Sequence, residues 1–255
     1  MPPLLGVFAH PDDESLLAGG VLAQHAAAHA PTAVVTMTWA PDSPRAPELA
    51  NALQALGAGP PRMLGYGDAR NPQAAPGRPR LIDAPLDEVV AALVHQIRSF
   101  RPDIVVTHDA LGQLTGHPDH RRTHQAALLA AQDAGIPHLH PEAGKPWQPH
   151  ALYFATHPES GVGELGPLLE AVGKDVLAVP DAYATTTVDV TPWLEQKWAA
   201  ILAHRGEAAR ERALPGILTR LPEETRRKII ATEFFTRLTT GPLPNARANT
   251  HRLTA

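Results

Sequence analysis

With 255 residues, 44% of them hydrophobic and 19% charged, and a formal net charge of −4, the chain has the makeup of a globular protein able to bury a core. It has no cysteine, which excludes disulfides and thiolate metal ligands, and no Lys/Arg cluster of the kind a nucleic-acid binder presents. No run approaches the ~20 apolar residues of a membrane helix, and Met1-Pro2-Pro3 lacks the basic start of a signal peptide, so a cytoplasmic protein with neither membrane nor nucleic-acid partners is expected.

In chain order, the apolar run Leu4–Phe8 reads as a buried strand. Residues 16–29 follow with Leu16, Leu17, Val21, Leu22 and Ala26 near helical spacing, and Pro31 ends the segment. Residues 33–38 form a second β-branched strand, residues 48–56 a helix with Gly57 as its stop, and residues 62–65 a weaker third strand. The proline- and glycine-rich stretch 66–85 reads as loop, and 87–100 as an amphipathic helix carrying Val89, Val90, Leu93 and Ile97. Residues 103–107 are the clearest strand, and 118–134 a helix closed by Gly135. Beyond it the pattern loosens: loop over 136–150, strands over 151–155 and 184–190, helices over 165–172, 193–203 and 223–232, and a polar tail over 239–255. Strands separated by helices of this length imply βαβ units. The expected fold is therefore α/β, a Rossmann-like, mostly parallel sheet flanked by helices with a loop-rich C-terminal portion. A single domain over 1–238 is expected.

Two clusters carry the chemistry. Ala9-His10-Pro11-Asp12-Asp13-Glu14 sits where the first strand leaves the sheet, the end at which ligands bind in open α/β sheets. Carboxylates crowded beside an imidazole are costly unless a cation joins them. Gly116-His117-Pro118-Asp119-His120 lies past the strand ending at Thr107 and can supply the remaining ligand on the same rim. A hydrolytic metal takes three protein ligands and keeps one position for water. His10 and Asp13 offer two ligands from one turn, while the neighbouring Asp12 points elsewhere and can face the water. With Pro118 at the first helical position, His117 is the N-cap. His117 and His120 then address one site, one as ligand and the other as a hydrogen-bond donor to an oxyanion and a leaving amine; Asp119 is placed to orient the free ring.

Either motif alone also fits a plain helix cap or turn, because Pro and Asp favour both; it is their pairing at two strand exits that points to a metal. Elsewhere His108-Asp109 reads as support behind the metal ligands, and Arg45 equally as a ligand-facing or a solvated side chain. His25 and His29 read as an exposed helix face, His138 and His140 as surface, and His124 as packing.

These residues resemble the LmbE/PIG-L family of zinc-dependent de-N-acetylases. Its signatures Ala-His-Pro-Asp-Asp-Glu and Gly-His-Pro-Asp-His stand at Ala9–Glu14 and Gly116–His120. Arg45, Glu48, Ala52, Leu56 and Gly57 support the match, as do Val188-Asp189-Val190, Lys197 and His204. The resemblance implies one Zn2+ per chain on His10, Asp13 and His120, with another divalent ion such as Fe2+ also suited to two nitrogens and a carboxylate. It further implies Asp12 as general base, His117 as stabiliser of the tetrahedral intermediate with Asp119 as its acidic partner, and Arg45 at the substrate; the loop 66–71 falls where relatives contact the sugar, and Asp68 there reads equally as an acceptor for substrate hydroxyls or as a turn residue. Two positions depart from the family: Thr115 where mycothiol-type members tend to carry tyrosine, and His204-Arg205-Gly206-Glu207 where the late motif usually reads His-x-Ser-Gln. The implied activity is removal of acetyl from an N-acetylated amino sugar or its glycoside. The rivals are an amidase of thiol–sugar conjugates and a non-catalytic sugar-binding module; oligomeric state is left open.

Overall fold

The computed structural model describes residues 1–240. The chain runs β1 (Leu4–Phe8), α1 (Asp13–Ala27), β2 (Thr32–Thr38), α2 (Arg45–Leu56), β3 (Arg62–Tyr66), α3 (Leu86–Phe100), β4 (Ile104–His108), α4 (Pro118–Asp133), β5 (Ala151–Ala155), α5 (Leu165–Glu170), β6 (Thr186–Asp189), α6 (Leu194–Ala203), α7 (Arg205–Ala208), α8 (Leu214–Thr219), α9 (Glu223–Ile230) and β7 (Thr232–Thr239). The seven strands make one sheet in the order β3-β2-β1-β4-β5-β7-β6. The β3-β2-β1-β4-β5 pairings are parallel, while β7 pairs antiparallel with both β5 and β6.

Central position explains why β1, β2 and β4 are almost continuously apolar: helices cover both of their faces. One face packs Val89, Leu93 and Ile97 of α3 and Ala126, Ala127 and Ala130 of α4 onto Leu5, Val7 and Val105. The other packs Leu22 of α1, Leu49 and Leu53 of α2 and Ala200 of α6 onto Leu4, Phe8 and Val106. Among the described residues no helix is long and apolar enough to cross a membrane.

Strand order reverses between β1 and β4, the crevice where doubly wound sheets take their ligands. The two His-Pro-Asp segments leave the sheet at that point.

Three expectations need correction. Residues 223–232 do not form one helix: α9 ends at Ile230 and β7 begins at Thr232, taking in Thr239, the first residue of the expected tail. A charged residue on the buried face hid this strand. Glu233 is buried, and its carboxylate is met by Lys197 Nζ at 2.7 Å and by the backbone N–H groups of Gly20 and Val21 at 2.8 and 3.0 Å. Those two N–H groups are freed where α1 breaks at Ala18 (φ −143°, ψ 15°). Second, His25 is buried and bonds the carbonyl of Pro2 at 3.0 Å instead of facing solvent. Third, α1 and α2 begin a turn earlier than expected, at Asp13 and Arg45: Asp13-Glu14-Ser15 and Arg45-Ala46-Pro47 lack the spaced apolar residues that mark the rest of each helix. The remainder of the polar tail, 241–255, lies outside the described residues.

Candidate active site

Asp13 opens α1, and its carboxylate folds back on the turn before it: Oδ2 accepts the His10 backbone N–H at 2.8 Å. The His10 ring is thereby held over the strand end, its Nδ1 3.3 Å from Asp13 Oδ2 and 3.2 Å from His120 Nε2. His120 Nε2 stands 3.4 Å from Asp13 Oδ1. Donor atoms ~2.0–2.1 Å from a tetrahedral cation are separated by roughly 3.3 Å, a spacing matched by the two imidazole nitrogens and by the approach of each ring to the Asp13 carboxylate, which meets His10 with one oxygen and His120 with the other. His10, Asp13 and His120 are all buried. Sets of donors that come within reach of one ion are His10 with His117 and His120, Asp13 with His108 and His120, and His10 with Asp68, His117 and Asp119; His10, Asp13 and His120 are shared between overlapping sets.

The pocket also favours positive charge. Burial opposes a charged His10, yet its contacts with Asp119 and Asp13 bring its pKa up to about 10. Burial likewise works against ionised Asp13, but His120 and His108 hold it well below the usual carboxylate range. A constellation that retains a proton so firmly presents the electrostatics a divalent cation requires.

Behind these residues, His108 at the end of β4 accepts the Ala9 N–H on Nε2 at 2.9 Å and lies 3.5 Å from Asp13. Asp109 accepts the N–H groups of Gly112 and Gln113 on Oδ1 and the Thr156 hydroxyl on Oδ2, fixing the loop that leads to His117. That loop turns through Gly112 (φ 81°), Gln113 (φ 64°) and Gly116 (φ 56°). A Cβ on Gly112 would stand 2.9 Å from the His117 carbonyl oxygen, so only glycine fits there.

Asp12 has φ 130°, a region costly for a residue with a Cβ. The turn holds it there: the Asp12 N–H donates to Glu14 Oε2 at 2.9 Å, and the guanidinium of Arg45 donates to the Pro11 carbonyl. Arg45 Nη2 lies 3.3 Å from Asp12 Oδ2, and the guanidinium sits over the Trp39 ring, 4.8 Å from its centroid. Burial raises the Asp12 pKa to about 7 while Arg45 restrains the rise. A carboxyl so poised is a good proton acceptor near neutral pH.

His117 caps α4, its Nδ1 accepting the Asp119 N–H at 3.2 Å. An acceptor Nδ1 places the proton of the neutral ring on Nε2. Burial and the nearby charge of His10 push its pKa down to about 3, so the ring is a neutral donor. The Asp119 carboxylate is directed chiefly to His10 Nε2, at 3.2 Å, and to the Ala69 N–H, at 2.8 Å; His117 Nδ1 is 3.9 Å away. Asp68 stands 3.4 Å from His10 Nε2 on one oxygen and caps the backbone of Arg70 and Asn71 with the other.

The site opens into a cleft of about 1080 Å3 lined by His10, Asp12, Asp13, Arg45, Asp68, His117 and His120, among others. Sequence reasoning gave no role to Trp39, Glu14 or His157. Glu14 is buried with His204, whose Nε2 is 2.7 Å from Glu14 Oε1. The acidic run and the late His204 were the only signals of that pair.

Residues 5–131 match the family described as GlcNAc-PI de-N-acetylase, PIG-L. Over 91% of its length the chain is 36% identical to the 1D-myo-inositol 2-acetamido-2-deoxy-alpha-D-glucopyranoside deacetylase of Rhodococcus jostii (strain RHA1), covering 90% of that protein. The chain belongs to the PIG-L family. Family members of this kind are de-N-acetylases, hydrolases of C–N bonds other than peptide bonds, and this chain is one. Among solved structures, a conserved protein of Thermus thermophilus superposes with a TM-score of 0.65 at 25% identity, over 99% of this chain and 100% of that one. The N,N'-diacetylchitobiose deacetylase of Pyrococcus horikoshii shares the fold at a TM-score of 0.65 and 19% identity, over 94% of this chain and 84% of that one. The PIG-L match spans both His-Pro-Asp segments, while the cleft wall from Leu165 onward lies outside it.

Proposed function

We propose that this PIG-L protein removes the acetyl group from an N-acetylglucosaminyl glycoside, as a single domain over residues 1–238, using one divalent cation bound by His10, Asp13 and His120. The reading takes zinc as the ion and the cytoplasm as the setting; Fe2+ suits the same ligands. The observation that carries it is the 3.2 Å approach of His10 to His120, with one Asp13 oxygen 3.3 Å from the first ring and the other 3.4 Å from the second, beside a carboxyl poised near neutrality. The deacetylase named in Rhodococcus jostii acts on such a glycoside, which supports the substrate class.

When bound, the cation supplies Lewis acidity toward the amide carbonyl and acidifies water. The chain's own groups do the rest. Asp12, on a strained backbone in the same cleft, takes the proton of the attacking water and is kept ready by Arg45. His117 Nε2–H donates to the oxygen that gains charge as the carbonyl becomes tetrahedral. Asp119 holds His10 with its carboxylate and the His117 ring with its backbone N–H, while Asp68 shapes the rim where sugar hydroxyls enter. The proton collected by Asp12 is available to the departing amine.

A non-catalytic sugar module would have no use for the strain at Asp12, and the named deacetylase relatives do not favour a conjugate amidase. The direct test is release of acetate from N-acetylglucosaminyl glycosides by metal-defined protein, with the Asp12→Ala variant as control. Absence of acetate release from every such glycoside would reject the reading.

A further inference from the structure

Trp39 is the first residue past β2, on the strand beside the one that releases the Asp12 turn. Its φ is 69°, a left-handed conformation that is unfavourable for a bulky L side chain. Backbone bonds on either side hold it there. Thr38 gives both its N–H and its hydroxyl to the Ala9 carbonyl, at 2.9 and 2.7 Å. The Trp39 N–H donates to the Tyr66 carbonyl and the Ala40 N–H to the Ala74 carbonyl, each at 3.0 Å. Of the six non-glycine residues with positive φ among the described residues, Asp12, Trp39 and Gln113 line the cleft. Strain fixed so firmly by its surroundings points to a residue held for what its side chain does.

The polar tip of Trp39 is not what is used, because Nε1 is buried without a hydrogen-bond partner among the described residues. The ring instead engages Arg45, whose Cζ lies 4.8 Å from the ring centroid. Arg45 needs that support. It is buried at the first residue of α2, where desolvation and the positive end of the helix dipole both oppose its charge. Its Nε is buried without a partner too. Nη2 donates to the Pro11 carbonyl and stands 3.3 Å from Asp12 Oδ2, while Nη1 is 3.7 Å from Glu207 Oε1. The guanidinium is thus drawn toward a carboxylate at each end, and the indole face fixes its plane between them.

From this geometry we infer that Trp39 is a positioning residue for the hydrolysis: its ring holds Arg45 on the Asp12 turn, and Arg45 holds the Asp12 carboxylate where it meets the attacking water. The inference rests on the reading of Asp12 as proton acceptor and goes beyond it, because it assigns the aim of that carboxylate to a side chain from the neighbouring strand.

Acetate release from methyl N-acetylglucosaminide by zinc-loaded protein tests it. Trp39→Leu removes the aromatic face and should lower kcat at least ~10-fold, the scale of a lost desolvated cation–π contact. Trp39→Phe keeps a face and should stay within about threefold of wild type. In an Arg45→Ala background the ring has nothing to hold, so Trp39→Leu should change kcat less than about twofold there. A residue that merely stabilises the fold would show the same loss in both backgrounds. Should the leucine variant not fold, Trp39→Met carries the same comparison. A crystal structure of the variant should show the guanidinium moved off the Pro11 carbonyl, a readout independent of turnover. Wild-type kcat in Trp39→Leu, a Trp39→Phe variant as impaired as Trp39→Leu, an equal loss in both backgrounds or an unmoved Arg45 overturns the role of Trp39 while leaving the deacetylase reading intact. Failure of the wild type to hydrolyse this or any other N-acetylglucosaminide overturns the deacetylase reading itself.

Discussion

His10 Nδ1 lies 3.2 Å from His120 Nε2, although the two residues are 110 positions apart in the chain. Only the sheet order makes this approach: β1 and β4 are neighbours, so the segments leaving them meet at one rim. Two imidazole nitrogens and a carboxylate at such separations share one proton or one cation, and the buried acids around them favour the cation.

If the cation belongs to the folded state alone, binding it stabilises the fold by mass action. Stripping divalent ions with a chelator should lower the unfolding temperature, and adding back one equivalent of zinc should restore it. At free metal a hundredfold above Kd the gain is about 2.7 kcal/mol. An unfolding temperature indifferent to chelator and metal would speak against a resident ion.

Asp12 lines the cleft without being one of the proposed ligands, and its carboxylate lies 3.3 Å from Arg45. Asp12→Ala should therefore keep metal content and fold yet lose at least ~100-fold in kcat, the usual scale for a lost general base. Acetate release together with metal analysis on one preparation decides it; near-wild-type turnover would remove Asp12 from the proton path.

The buried Lys197–Glu233 pair has a structural task that surface pairs lack. Glu233 also accepts the two N–H groups freed at the α1 break, so Glu233→Ala leaves both a buried ammonium and buried donors unmatched. Breaking a pair of this kind costs about 3–5 kcal/mol. Removing exposed Glu195 from its bond to Arg227 should cost at most about 1 kcal/mol. Denaturant unfolding of the two variants compares them directly, and comparable losses would contradict the assigned role.

The Glu14–His204 pair makes stability depend on pH. Burial opposes charge on His204, but Glu14 overrides it and raises the pKa above the ordinary 6.5. Stability from His204 is thus complete below 6.5 and fades as pH rises through the folded value. Glu14, lowered from 4.5 because His204 outweighs burial, contributes above 4.5 and fades as pH falls through its folded value. The stability difference between wild type and His204→Gln should be largest between pH 4.5 and 6.5 and shrink on either side. A difference constant across pH would show that the pair is not the cause.

Much of this was readable from residue types. The parallel half of the sheet followed from apolar runs alternating with helical spacing, and the meeting of His10, Asp13 and His120 at one rim from two His-Pro-Asp turns at strand exits. What escaped was set by long-range partners. β7 places a glutamate on its buried face, which no strand pattern anticipates without knowledge of Lys197 and the broken α1. His25 looked solvent-facing because nothing local reveals that Pro2 comes back over it. Arg45, weighed evenly between ligand and solvent, proved to be buried against Trp39 and Pro11.

Two distant turns gripping one divalent ion is what makes the rim of the sheet a catalytic site. Elemental analysis of purified protein, set beside His120→Ala, tests it most directly. We expect close to one divalent ion per chain in the wild type and almost none in the folded variant. A variant that keeps its full metal complement, or a wild type that deacetylates at full rate after complete metal removal, would contradict the account.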